Sequence, residues 1–560
     1  MATARQPFIV RLLPSLGDFA FLAPVAILFG RLGGIYTLLS DCDTGWHIRT
    51  GEWIMKNHAV PKQDFFSYSM PGQPWFAWEW LSEVVMAGLN NLGGLRALTM
   101  ATILLISVTF ALLYRVIKRR SNPIVAIMVT VLAAGANSIH WLARPHMFSF
   151  FFLVLFQEAL ERVREGRTHL GRLPYLAMLP VITILWTNLH GGFFIGIFMI
   201  AVYGAGESLR ILFTPGLMSS KTEWMKAGRY FACAAACGLA SLINPYTFHL
   251  HVHIAKYLRD PYNFEHIGEF LSPNFHLPHL IFFEIMVVLG AAAAYWSVSK
   301  RRFIEPLFLI AWAHASVLAV RNVAIFQIIA APAVAVAIQE WLDHASQWDL
   351  SGWLRKAIES FRRISAETAE TEAVPRFRLL SVAVMALIAM ILWAPNPPQR
   401  FRAEWNPGRY PVKALAKIEN DPSVRIFAHD EWGDYLVWSG RKVFVDGRSD
   451  FYGDDFENKY IDVMAVKPGW DTTLAKYGVN TVLMAPTEPL SGALKESSRW
   501  RLTYDDGEAL VFRSTESLAH PAGAVKVSVA AAGGGEGRDR EVTKTQTGDR
   551  AITQKKQPKT

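Results

Sequence analysis

The chain has 560 residues, 52% of them hydrophobic and only 18% charged, against about 25% charged in soluble domains, which excludes a simple soluble enzyme. Its net charge of +9 would suit a nucleic-acid binder if the basic residues formed one patch, but they are distributed along the chain in a way that reads as membrane topology. Three cysteines, Cys42, Cys233 and Cys237, exclude a disulfide framework.

A helix needs roughly 17 to 25 mostly apolar residues to cross about 30 Å of hydrocarbon. Such windows fall near 18–40, 96–114, 123–140, 146–160, 173–188, 192–213, 229–244, 278–297, 303–319, 322–339 and 378–394, which predicts about eleven crossings. Lys and Arg concentrate in alternate connections, for example Arg115 to Arg120, Arg162 to Arg172, Lys300 to Arg302 and Arg355 to Arg378. This bias puts the N-terminus in the cytoplasm and everything after about Pro395 outside. The first apolar segment contains Arg31 and lacks a small-residue cleavage site, so it is expected to stay as an anchor.

The first outward loop, 41–95, begins with Asp41 and Asp43, placed directly at the end of the first crossing, where an ionisable group beside lipid is costly. A helix over Thr44–Lys56 follows, carrying Trp46, His47, Arg49, Trp53 and Lys56 with a spacing that suits the interface plane. A second interfacial helix is predicted at about Pro74–Leu89, with Glu79 and Glu83 among Trp75, Trp78 and Trp80, which read as aromatic-belt residues. Asp43 also suits the N-terminal cap of the first helix.

Later outward connections bring Arg144 and His146 in HWLARPHMF, Asn188, His190 and Gly191 in WTNLHGG, and Arg321 in VRN. Between them His249, His251 and His253 alternate, so three imidazoles would share a face only on a strand. Residues 395–515 change character. Short runs such as VRIFAHD, RKVFVDG, VNTVLMA and EALVFRS predict strands, and YPVKALAKIEN a helix, giving a small external α/β domain. Asp446, Gly447, Arg448 and Asp450 follow one predicted strand, as a turn closed by an Arg–Asp pair or as a lid contact. The stretch 516–560 is rich in Ala, Gly, Lys, Thr and Gln and is expected to be a disordered tail.

The acidic pair closing the first helix, the juxtamembrane helix, Pro61, the DFFSYSMPGQPW run and a second juxtamembrane helix together resemble the GT-C class of membrane glycosyltransferases, such as the dolichyl-phosphate-mannose mannosyltransferases. The resemblance implies a mainly α, polytopic helical bundle over 1–394 with an extracytoplasmic α/β domain, a catalytic Asp in the first outer loop, and a polyprenyl-phosphate sugar donor. It makes Asp41 and Asp43 the candidate bases.

A lipid phosphate is already a good leaving group, so transfer needs cations on the phosphate and a base across the sugar, with inversion. Arg144, Arg321 and His146 are the candidate donor-phosphate residues, since guanidinium offers paired donors and keeps its charge beside lipid. His47, Arg49, Glu79, Asn188 and His190 are candidate pocket residues. No cofactor is required and no resident metal site is assigned, although a divalent ion bridging Asp43 and a donor phosphate stays open. The expected partners are the polyprenyl-phosphate donor, membrane lipid, and a glycan, lipid or protein acceptor, with no nucleic acid. The expected location is a bacterial inner membrane. The rival readings are a lipid or glycan transporter or flippase, disfavoured by the absence of internal repeats, and a non-catalytic membrane scaffold.

Overall fold

The computed structural model describes residues 8–516. The tail assigned to 516–560 therefore lies, past Glu516, outside the described residues.

A helix occupies each of the eleven apolar windows. They are α1 (Leu16–Ala26, continued by a π-turn over Ile27–Arg31), α3 (Trp80–Lys118), α4 (Pro123–Asn137), α5 (His146–Arg164), α6 (Tyr175–Leu189), α7 (Phe193–Phe213), α8 (Lys221–Ala240), α10 (Ile281–Ser299), α11 (Ile304–Leu318), α12 (Arg321–His344) and α14 (Leu379–Leu392). The others needed here are α2 (Asp43–Asn57), α9 (His249–Tyr257), α13 (Gly352–Glu372) and α15 (Asp430–Trp438). Among the described residues, six helical segments are long and apolar enough to cross a membrane by length and composition, and α6, α11 and α14 are shorter apolar helices.

Local sequence sets the boundaries. Ser15 and Asp18 form a reciprocal capping box at the start of α1, and Asn122 caps α4 by accepting from Ile124 and Val125 N–H, with Pro123 at the first helical position. The expected second interfacial helix is the N-terminal limb of α3, and it starts at Trp80 instead of Pro74. Residues 74–77 are non-helical instead, with Pro74 in an antiparallel bridge to Gln63, and 78–79 form a turn into the helix. The limb turns into the long helix at Gly93 and Gly94, and Gly94 sits at φ +64°, a conformation other residues reach only with strain.

Lipid supplies no hydrophobic drive between helices, so close approach must come from small side chains. Buried Ala126, Ala133 and Ala134 on α4 and Ala324, Ala330 and Ala331 on α12 supply it here. Asn137 Nδ2 closes the contact by donating to the Ala324 carbonyl at 2.7 Å. One end of the bundle is laced by basic residues: Arg119–Glu158 at 3.0 Å, Arg120–Glu161 at 2.6 Å, Arg164–Glu305 at 2.8 Å and Arg302–Glu340 at 2.7 Å. The opposite end carries the C-terminal domain.

That domain is built on a four-stranded sheet, β1 (Ile426–Ala428), β2 (Thr481–Met484), β3 (Trp500–Asp505) and β4 (Leu510–Ser514), in the order β1-β2-β4-β3. The β1–β2 pair is parallel and the others antiparallel. Side chains alternate between two cores: Phe427, Val482 and Phe512 face the domain's own helices, while Ile426, Leu483 and Val511 join the core shared with the bundle. β3 was not expected. The run 441–447, expected as a strand, makes only a single bridge, from Val443 to Ser67. Its partner is the first loop and not the sheet, so the first loop is sewn into this domain. Tyr68 N–H donates to the Val443 carbonyl at 2.9 Å, Val443 N–H to Phe66 at 3.1 Å, and the Tyr68 hydroxyl to Ile426 at 2.9 Å.

Candidate active site

Asp41 and Asp43 emerge where the chain leaves the first helix and starts α2. Asp41 Oδ1 accepts the N–H of Asp43 at 2.9 Å, so the capping role falls to Asp41. Their remaining oxygens converge on Arg144, whose Nη1 lies 2.7 Å from Asp41 Oδ2 and whose Nη2 lies 2.5 Å from Asp43 Oδ2. Arg144 thus holds the two acids instead of standing alone for a phosphate. Its proton is kept still more firmly than in free arginine: burial opposes the charge, and Asp41 and Asp43 outweigh it.

A cavity of about 280 Å³ is lined by His140, His146, Ser149, His190, Arg321 and Asn322 together with apolar groups; Asp41, Asp43 and Arg144 are not in its wall, but His140 lies within range of the charges of Arg144 and Asp41. Phe194, Leu258, Phe264 and Leu318 belong to its wall and are themselves exposed, so the cavity has an apolar rim. Arg321 stacks on Phe270 at 4.5 Å and pairs with Glu269 at 3.2 Å. Burial raises the Glu269 carboxyl, but Arg321 and Arg144 outweigh it and bring it down to about 2. Glu269 also acts through space on Asp43, which joins the cavity and the acidic pair electrostatically.

The tautomer of His190 follows from its partners. Its Nδ1 accepts the Gly192 N–H at 2.9 Å and lies 2.7 Å from the Ser149 hydroxyl, whose oxygen accepts from Trp186 Nε1 at 2.8 Å. The proton therefore sits on Nε2, 3.4 Å from Glu79 Oε1. Burial and the nearby Arg321 and Arg144 push His190 down to about 3, so it stays a neutral donor. His146 Nε2 donates to the His140 carbonyl at 2.9 Å. Buried His47 lies 3.7 Å from Glu79 and 3.5 Å from Glu83. Burial lifts Glu79 to about 8.

Arg49 and Asn188 stand apart from this cluster. Arg49 donates to the Trp438 carbonyl and pairs with Glu52, which ties α2 to α15. Asn188 fastens helix ends, accepting from Trp80 Nε1 and donating to the Ile184 and Ile243 carbonyls. The belt reading fails for Trp75, which is buried with its ring 4.5 Å from the Arg448 guanidinium. Trp78 lines the cavity. The three histidines lie on α9 and diverge: His251 bonds Ser241 at 2.8 Å and His253 bonds Asp450 at 2.9 Å. Arg448 closes its turn on Asp446 as expected and also reaches Asp64, at 2.7 and 2.8 Å.

The sequence reading missed Glu269, His140 and Asp434. Glu269 carried a usable signal, as an acid between Ile267 and Phe270 in an outward loop; Asp434 carried none, because only the domain docking brings it to Asp43.

A scan against protein-family models finds no match, and a search of curated proteins finds none either. Among solved structures, the chain is similar to the crystal structure of an Archaeoglobus fulgidus oligosaccharyltransferase in complex with zinc and sulfate. Identity is 14%, the match covers 89% of this chain and 73% of that one, and the TM-score is 0.46. Among the described residues no group of three or more His, Cys, Asp or Glu is placed to hold a metal ion.

Proposed function

We propose that this chain is a multi-pass membrane glycosyltransferase of GT-C type that moves a sugar from a polyprenyl-phosphate donor to an acceptor hydroxyl, with inversion, at the end of the bundle bearing the α/β domain. One observation carries the reading: a cavity with an apolar, exposed rim and a floor of Arg321 and neutral His190 has lining residues, His140 and His190, within range of the guanidinium that holds the acidic pair. An isoprenoid suits the rim, and an anionic phosphate suits the floor.

Asp43 is the base. Asp41 is committed to the backbone of α2, whereas Asp43 is held through its side chain alone, by Arg144 on one oxygen, and its other oxygen, beside Gly447 and Asp434, retains a lone pair for the acceptor proton. It takes the acceptor proton as the hydroxyl oxygen attacks the anomeric carbon and the carbon–phosphate oxygen bond breaks on the far side. Arg321 and the Nε2–H of His190 meet the charge growing on the departing phosphate, in a site where burial strengthens every such interaction. Glu79, carrying its proton near neutral pH, leaves that charge unopposed.

The experiment is transfer from a radiolabelled polyprenyl-phosphate sugar by the protein in liposomes supplied with envelope acceptors. Label appearing in acceptor with wild type and not with Asp43→Asn supports the reading. Movement of intact labelled donor across the bilayer without transfer would favour a flippase.

A further inference from the structure

Asp434 is a buried carboxyl in the α/β domain that faces the membrane bundle. It lies on α15, 2% exposed, with Oδ1 accepting the Gly447 N–H at 2.8 Å. Its Oδ2 and Oδ1 of Asp43, contributed by the membrane bundle, flank the same glycine, Gly447, which brings the two carboxyls side by side. Gly447 is wedged against both: a Cβ there would collide with Asp43 Oδ1 and with Asp434 Oδ2. Two bare carboxylates cannot share such a contact, so one holds a proton.

The surroundings decide which. Five acids meet here, Asp41, Asp43, Asp64, Asp434 and Asp446, with two guanidiniums. Arg144 is taken by Asp41 and Asp43, and Arg448 by Asp446 and Asp64. Asp434 is the acid left without a cation. It faces Asp43, Asp41 and Asp446, while Cys42 lies within range of its charge. The proton therefore rests on Asp434, which donates it to Asp43. Burial followed by the charges of Asp43 and Asp446 raises Asp434 well above the ordinary carboxylate range, in agreement.

We infer that Asp434 is a positioning residue for the transfer reaction: as a neutral carboxylic acid carried in from the α/β domain, it hydrogen-bonds Asp43 and holds the base ionised and aimed, so that the site is complete only when the two domains are docked. This rests on the role proposed above for Asp43. Asparagine reproduces the neutral acid, since its amide N–H can donate to Asp43 while its carbonyl accepts from Gly447. Alanine cannot.

The test uses the full-length protein in liposomes and two readouts. Asp434→Asn should keep kcat/KM within about threefold of wild type and move the alkaline limb of its pH profile upward, because the amide cannot ionise. Asp434→Ala should lose roughly 10²-fold, the usual cost of one preorganised donor. Asp434→Asn falling as far as Asp434→Ala, or an alkaline limb unmoved in Asp434→Asn, overturns the inference. The second readout needs no activity: thermal unfolding against pH. A carboxyl raised in the folded state gives stability that is lost as pH rises through its folded pKa, so the Tm of Asp434→Asn minus that of wild type should grow with pH. A constant difference also overturns the inference. Wild type that transfers no sugar, with this pH-dependent difference intact, leaves the proton on Asp434 and removes only the role assigned to the site.

Discussion

The Asp43 carboxylate lies 2.5 Å from a guanidinium nitrogen of Arg144, a residue separated from it by a whole helical hairpin in sequence. A second nitrogen of the same side chain reaches Asp41. The fork fixes both acids at once, which an ammonium cannot do. Arg144→Lys should therefore keep the protein folded and donor binding close to normal while lowering kcat by roughly 10²-fold. Single-turnover transfer with saturating donor measures this, and wild-type kcat would show that the fork is dispensable.

Arg321 lines the cavity on its own, with Glu269 as its ion-pair partner. Replacing it with Ala should raise the donor requirement at least about tenfold, equivalent to losing about 1.4 kcal/mol of phosphate binding. The acceptor requirement should stay unchanged. Titrating donor and acceptor separately distinguishes this from a general loss of fold.

Glu79 gives a pH signature. Burial raises its folded pKa from the ordinary 4.5 to about 8, so the stability tied to its neutral form is complete below about pH 4.5 and is lost as pH rises toward 8. Glu79→Gln should flatten that decline, and activity at neutral pH should survive because the amide mimics the protonated acid. Unfolding temperatures across this range, compared with wild type, check the sign.

Arg448 is fully buried between Asp446 and Asp64, under the rings of Phe66, Trp75 and Phe451. Removing one partner of a buried pair strands the others, so Arg448→Ala should destabilise the protein by about 3–5 kcal/mol. It should also loosen the first loop from the α/β domain, visible as faster proteolysis between Val60 and Trp75.

The bundle was legible because each crossing needs a continuous apolar window, a signal that survives without knowledge of any neighbour. The candidate residues Asp41, Asp43, Arg144, His146, His190 and Arg321 could be named because polar groups at helix ends beside lipid are costly. Their pairing could not be named. Sequence places Arg144 and Asp43 at the same end of the bundle, yet only packing tells whether the guanidinium meets a carboxylate or waits for a phosphate. The strand misread at 441–447 has the same origin: Val443 and Phe444 alternate correctly, but their partner is the distant first loop. Arg49 and Asn188 also read as pocket residues, but Arg49 meets Trp438 and Glu52, and Asn188 meets Trp80, Ile184 and Ile243; a polar side chain at a domain junction or helix end leaves the same trace in sequence as one in a pocket.

The most direct measurement is sugar transfer from a polyprenyl-phosphate donor by wild type, Asp41→Asn and Asp43→Asn in liposomes, with donor binding determined in parallel. The account predicts that Asp43→Asn binds donor normally and transfers nothing above background, while Asp41→Asn keeps measurable turnover. Full transfer by Asp43→Asn at wild-type donor affinity would contradict it.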